Sequence, residues 1–206
     1  FNNIPDTDRT TEKVIAEIKS ALSYVREKRL ILSVLIFAIF INFVFSSYVV
    51  SLPHIINIQL GLNSEQYGLI QSAFAIGSLI FSIIFSMLPE RDKRYKYLMY
   101  SLMTVSALMV LTGVPTLKSF ALISKTGLVI YFVIINFSIG GALVFLNLPT
   151  FILLQKETSD EYRGRVNGLL GTSSLSIQPL GMVLGGLFID HISSFLLVFI
   201  CGLLFF

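Results

Sequence analysis

Charge is what this sequence has least of: Asp, Glu, Lys and Arg make up 13% of its 206 residues, against about a quarter in a typical soluble domain. With 54% hydrophobic residues and a mean hydropathy of +0.81, water is not its main solvent. Cysteine is nearly absent too. The single Cys201 has no partner in the chain, which excludes a disulfide framework or a zinc cluster. Histidine is limited to His54 and His191, both beyond the ends of apolar runs. No metal-ligand cluster or nucleophile-base pair is therefore available at membrane depth, which argues against a catalytic site, and no cofactor is expected.

What remains is long and apolar. Charged residues cluster at 6–29, 65, 90–96, 118, 125, 156–165 and 190. A helix needs roughly 20 apolar residues to cross a hydrocarbon core of about 30 Å. By that ruler Leu30–Leu52, Gln66–Leu88, Tyr97–Val114, Gly127–Leu154 and Val166–Ile189 are five spans, and a sixth, left incomplete, begins near Ile192. The fold class expected is an all-α, polytopic transmembrane helix bundle over 30–206, preceded by a polar segment over 1–29. Apolar runs in a soluble core are shorter than these, and a signal peptide would not follow 29 polar residues.

The net charge of +3 is explained by membrane orientation and not by nucleic acid. With an inside amino terminus, the inner segments hold Arg9, Lys13, Lys19, Arg26, Lys28, Arg29, then Arg91, Lys93, Arg94, Lys96, then Lys156, Arg163, Arg165; the outer segments hold only Lys118 and Lys125. Such a bias places both ends in the cytoplasm of a multi-pass protein.

Local chemistry supports the boundaries. Pro53, Pro89 and Pro115 follow the first three spans, where a missing N–H does least harm. Asn63 with Gln66 predicts a capping box before the second helix, and Thr158 with Glu161 predicts one opening the fifth. Val14, Ile18, Leu22 and Val25 predict an amphipathic helix over 11–29, either packed on the bundle or lying on the cytoplasmic leaflet.

Polar side chains inside the spans point to protein or to a water-filled cavity. Asn136, Gly140, Leu143, Asn147 and Thr150 share one face of the fourth span; Gln71, Ala75, Ser78 and Ser82 share one of the second; Asn42 and Ser46 share one of the first. Asn42, Gln71, Asn136 and Asn147 are the candidate substrate-binding residues, the competing role for each being helix packing. The glycine-rich fifth span, with Gly164, Gly168, Gly171, Gly181 and Gly185, predicts close helix approach, and Pro179 predicts a kink.

The run Gln155-Lys-Glu-Thr-Ser-Asp-Glu-Tyr-Arg-Gly-Arg-Val-Asn-Gly-Leu-Leu resembles the loop between the fourth and fifth helices in the second half of major facilitator transporters, most closely the macrolide-efflux and drug-exporter branch. Gln178-Pro-Leu-Gly, Leu60-Gly-Leu-Asn-Ser-Glu-Gln-Tyr-Gly and Glu90-Arg-Asp-Lys-Arg extend the similarity over nearly the whole chain. The family's glycine-acid-arginine loop is degenerate at 89–94, where Pro89 and Glu90 precede Arg91.

That resemblance implies six spans built as two inverted three-helix repeats, the carboxyl-terminal half of the fold. Residues 1–29 are then the cytoplasmic loop between halves, and the missing amino-terminal half is the main partner. It further implies a secondary transporter of the plasma membrane, an antiporter exporting small amphipathic compounds with proton or ion coupling. Glu161, Arg163, Gly164 and Arg165 would form an inner-face gating motif. No Asp, Glu, Lys or Arg lies within the complete spans, so a proton-titrating carboxylate is expected in the other half. The same absence supports the rival reading, a membrane sensor or assembly module that kept the bundle without transport.

Overall fold

The computed structural model describes residues 18–88, 94–117 and 123–206. A helical stretch at 18–27 leads into α1 (Arg29–Pro53), α2 (Ser64–Met87), α3 (Arg94–Gly113), α4 (Lys125–Glu157), α5 (Arg163–His191) and α6 (Ser194–Phe205). No strand occurs among the described residues. Among the described residues five helices are long and apolar enough to cross a membrane, and α6 is a shorter apolar helix. The all-α polytopic bundle expected from the spans is the fold observed.

Helix ends follow local hydrogen bonding more than hydropathy. Asn63 and Gln66 form the expected capping box, each side chain accepting from the other's N–H at 2.8 and 2.9 Å. The one expected from Thr158 and Glu161 does not form. Thr158 closes α4, its hydroxyl donating to the Leu154 carbonyl at 2.7 Å, and α5 starts at Arg163 without a side-chain cap. A threonine bonded back to the carbonyl four residues earlier is already committed to the preceding helix. Nor does α1 end at Pro53: it continues as a wide π-helical turn, His54–Gln59, and stops at Gly61, whose φ of 64° is costly for a side-chain-bearing residue.

Helices adjacent in sequence are not the principal partners. The main packing pairs are α1 with α5, α2 with α4, and α3 with both α6 and α4; α1 also meets α6. Exchanging α1, α2, α3 for α4, α5, α6 maps this set onto itself, because α1–α5 becomes α4–α2 and α3–α4 becomes α6–α1. Three spans per repeat make the second repeat enter from the opposite side, so the pairing is that of two inverted repeats.

Side chains obey the same exchange. A methyl on Gly181 of α5 would strike the Phe43 carbonyl of α1, and one on Gly77 of α2 would strike the Phe137 carbonyl of α4. Both phenylalanines end the tripeptide Ile-Asn-Phe, at 41–43 and 135–137. In each copy the asparagine amide donates to the carbonyl four residues back, Asn42 to Ala38 at 2.8 Å and Asn136 to Phe132 at 3.0 Å. Between the repeats lies the main core, with Tyr48, Ile55, Phe132 and Ile139 nearly inaccessible.

Candidate functional site

A cavity of about 420 Å³ lies between α1, α2, α4 and α5. Its polar lining comes from Asn42 on α1, Ser78 and Ser82 on α2, Asn147 on α4 and Gln178 on α5; Ile41, Phe45, Phe74, Leu143, Val144 and Leu148 supply hydrocarbon. Among the described residues no charged side chain lines it.

Most of this polarity is already satisfied within the chain, as a low-dielectric setting requires. Ser78 donates to the Phe74 carbonyl at 3.0 Å and Ser82 to the Leu79 carbonyl at 2.7 Å. The Asn42 oxygen accepts from the Gln178 amide at 3.3 Å, closing a bridge from α1 to α5. Asn147 differs: it is exposed and forms no hydrogen bond among the described residues. Asn147, offering two donors and an acceptor, is therefore the one amide of the chamber without a partner, among serines bonded to their own helices, the Asn42–Gln178 bridge, and aromatic or aliphatic walls.

The sequence candidates divide accordingly. Asn42 and Asn147 share the cavity. Asn136, on the same helix as Asn147, is 2% exposed and holds its own helix backbone, and Gln71 is half-buried on α2 outside the cavity lining. Gln178 was not among the sequence candidates. The available signal was its spacing, since it precedes Gly181 by three residues and so shares the face that approaches α1.

The loop between α4 and α5 makes a second constellation. Arg163 pairs with Asp160 at 2.6 Å and donates to the Gln155 carbonyl at 3.1 Å. The Arg165 guanidinium lies 5.5 Å from the centre of the Tyr162 ring, a cation–π placement. On its other partner, Tyr162 stacks with Tyr24 of the leading helix, ring centres 4.3 Å apart and nearly parallel. Ser159 N–H donates to the Tyr24 hydroxyl at 3.1 Å, and hydrogen bonding from Ser159 lowers the phenol's pKa. Below them Val25, Ile31, Leu35, Leu154 and Val166 form a small core of their own. In the amphipathic stripe read from sequence, Val25 is buried, Ile18 and Leu22 are exposed, and Val14 lies outside the described residues. Glu161 and Gly164 are exposed.

The glycines of α5 also divide. Gly181 and Gly185 lie against α1, whereas Gly164, Gly168 and Gly171 have open space where a side chain would begin. Pro179 sits inside the helix between the two groups. Near it Ser47 of α1 donates to the Gly181 carbonyl at 2.7 Å, tying the helices where they come closest. Small residues that let backbones meet, and hydroxyls that then bridge them, are the usual means of joining helices in lipid.

A family model described as the Major Facilitator Superfamily matches residues 34–206. No curated protein and no solved structure matches the chain.

Proposed function

On the premise that the chain belongs to the major facilitator superfamily, and is thus a multi-pass membrane transporter, we propose that it is the carboxyl-terminal half of a plasma-membrane exporter. It moves small amphipathic compounds by alternating access, with its amino terminus in the cytoplasm. The observation that carries this reading is the uncharged cavity with one free amide, Asn147, among aromatic and aliphatic walls. Such a chamber desolvates an apolar body and offers it a single hydrogen-bonding anchor, which suits a neutral or weakly polar solute. A second six-helix half closes the other side of the chamber and carries the group that couples transport to protons or another ion. Rocking of the two halves exposes the cavity to each side of the membrane in turn.

Support for export in the drug-exporter manner comes from the Arg163-Gly164-Arg165 loop and its resemblance to that branch. In this reading Arg163 and Arg165 hold the inner face in one of the two states, with Asp160 and Tyr162 as partners within the half.

The test is export of a fluorescent amphipathic dye from cells expressing the full-length protein, normalised to surface abundance. Asn147→Leu is expected to raise the dye's KM about tenfold, the scale of one lost polar contact to a neutral ligand. Arg163→Gln with Arg165→Gln is expected to slow turnover at similar KM. Unchanged kinetics in the Asn147 variant at equal abundance would remove the cavity from the substrate route. Unchanged export in the double variant would remove the gating role.

A further inference from the structure

A second concavity, of about 280 Å³, lies between α2, α3 and α4, lined by Phe81, Tyr97, Tyr100, Thr104, Ala142 and Phe145 among others. It is separate from the polar cavity. On α4 the cavity takes Gly140, Leu143, Val144, Asn147 and Leu148, while the groove takes Ser138, Gly141, Ala142 and Phe145. At 3.6 residues per turn the centres of the two sets are roughly 140° apart. The groove thus opens on the flank turned away from the substrate chamber, where Met99, Tyr100 and Met103 are exposed at 57, 67 and 47%. For a bundle of membrane-spanning helices that flank is covered by lipid.

Its wall is a connected set of rings. Phe145 meets Phe81, Phe85 and Tyr97 at 6.2, 5.3 and 6.1 Å between ring centres, and Phe81 meets Phe137 at 5.8 Å. Rings braced edge to face hold the groove open. The hydroxyls of Ser101 and Thr104 are committed to the Leu98 and Tyr100 carbonyls at 2.9 and 2.7 Å. The lining therefore offers mainly hydrocarbon and aromatic contact. The phenols of Tyr97 and Tyr100 mark one end, the placement tyrosine takes beside lipid ester groups.

Beyond that end the charge turns positive. Lys96, next to Tyr97, is exposed, and the sequence before it, Glu90-Arg91-Asp92-Lys93-Arg94, is net basic. An apolar slot with the exposed cation Lys96 beside its tyrosine end matches a molecule that is a hydrocarbon chain with an anionic head. We propose that this groove is a seat for one anionic phospholipid, an acyl chain lying against the Phe81, Tyr97 and Phe145 rings and the phosphate near Lys96. The seat is independent of the solute the transporter carries.

Native mass spectrometry of the full-length protein, released from detergent and titrated with phosphatidylglycerol or phosphatidylcholine, tests it. One phosphatidylglycerol is expected to be retained in preference to phosphatidylcholine, with Lys96→Gln reducing that preference about fivefold, the scale of one basic residue at a lipid surface. Thr104→Phe and Ala142→Leu, which fill the groove from two helices, should each reduce retention of both lipids; either one that purifies as a monodisperse protein gives the answer. Equal retention of the two lipids by the unmodified protein overturns the anionic assignment. Undiminished retention in a groove-filled variant, or displacement of the lipid by transported dye, overturns the seat itself.

Discussion

Two adjacent glycines of α5 should respond oppositely to the same substitution. A methyl carbon on Gly185 would lie 2.8 Å from the Ser47 Cα and 2.9 Å from Val50 Cγ1, whereas one on Gly186 meets nothing within 4 Å. Carbon atoms rest at about 3.5–4.0 Å, so α1 and α5 would have to part by close to an ångström at residue 185. The first obstacle is backbone, which cannot turn aside as a side chain would. Overpacking of this kind costs about 1–3 kcal/mol. The parting also strains the Ser47–Gly181 hydrogen bond one turn away, which contributes about 1 kcal/mol. Replacing glycine by alanine in a helix returns about 1 kcal/mol at either position. The net expectation is a loss of about 1–3 kcal/mol for Gly185→Ala and a gain of up to about 1 kcal/mol for Gly186→Ala. On the scale of 2–4 °C per kcal/mol for chains of this size, the two variants should melt on the order of 5–15 °C apart. Thermal inactivation of the detergent-purified fluorescent fusion, followed by size-exclusion chromatography, reads this directly. Equal shifts for the two variants would refute the close-approach argument.

Three further outcomes follow from buried and docked groups. The Tyr48 hydroxyl donates to Thr112 at 2.9 Å because the Thr112 proton goes to the Leu108 carbonyl; Tyr48→Phe should cost about 1 kcal/mol, and adding Thr112→Ala should cost less than the sum of the single changes in a melting cycle. Cys201 is 3% exposed, so maleimide should label it only after denaturation, and rapid labelling of the native protein would contradict the packing of α6. Tyr24→Ala, which removes both the stack on Tyr162 and the bond from Ser159, should speed amide exchange across 158–162 more than Tyr24→Phe, which removes only the bond; identical exchange in the two variants would deny the stack any part in ordering the loop.

Span number and helical class were legible because hydrocarbon thickness imposes a length that few soluble helices reach. The capping box at Asn63 was legible because both partners lie three residues apart. Spacing failed wherever the question was which neighbour a face would meet. Gly164 and Gly168 are four residues apart, as are Gly181 and Gly185, yet one pair looks onto open space and the other onto α1. Asn136 and Asn147 lie on a common stripe, but the stripe turns from core to cavity along α4, so only Asn147 reaches the chamber. Thr158 carried a helix-opening pattern and instead closes the helix before it, since its hydroxyl finds the Leu154 carbonyl first. The internal echo of Ile-Asn-Phe was present in the residues all along. What identifies it as a repeat is the interleaved pairing, in which both copies lie beneath a glycine of a helix from the other repeat.

That interleaving sets an order of events at the ribosome. Ser47 must wait for a carbonyl that lies 134 residues further along the chain, and at about 5–20 residues per second the interval is roughly 7–27 s. Throughout it α1 lacks its principal partner, and Ser47 has only the Phe43 carbonyl of its own helix, at 3.2 Å, to bond. The helix pair α2–α4 can form earlier, so the second crossing is available as a platform before α5 emerges. A nascent chain halted between α4 and α5 would present an unpaired α1 to the quality-control proteases of the membrane, and the vulnerable window closes only when the glycines of α5 arrive.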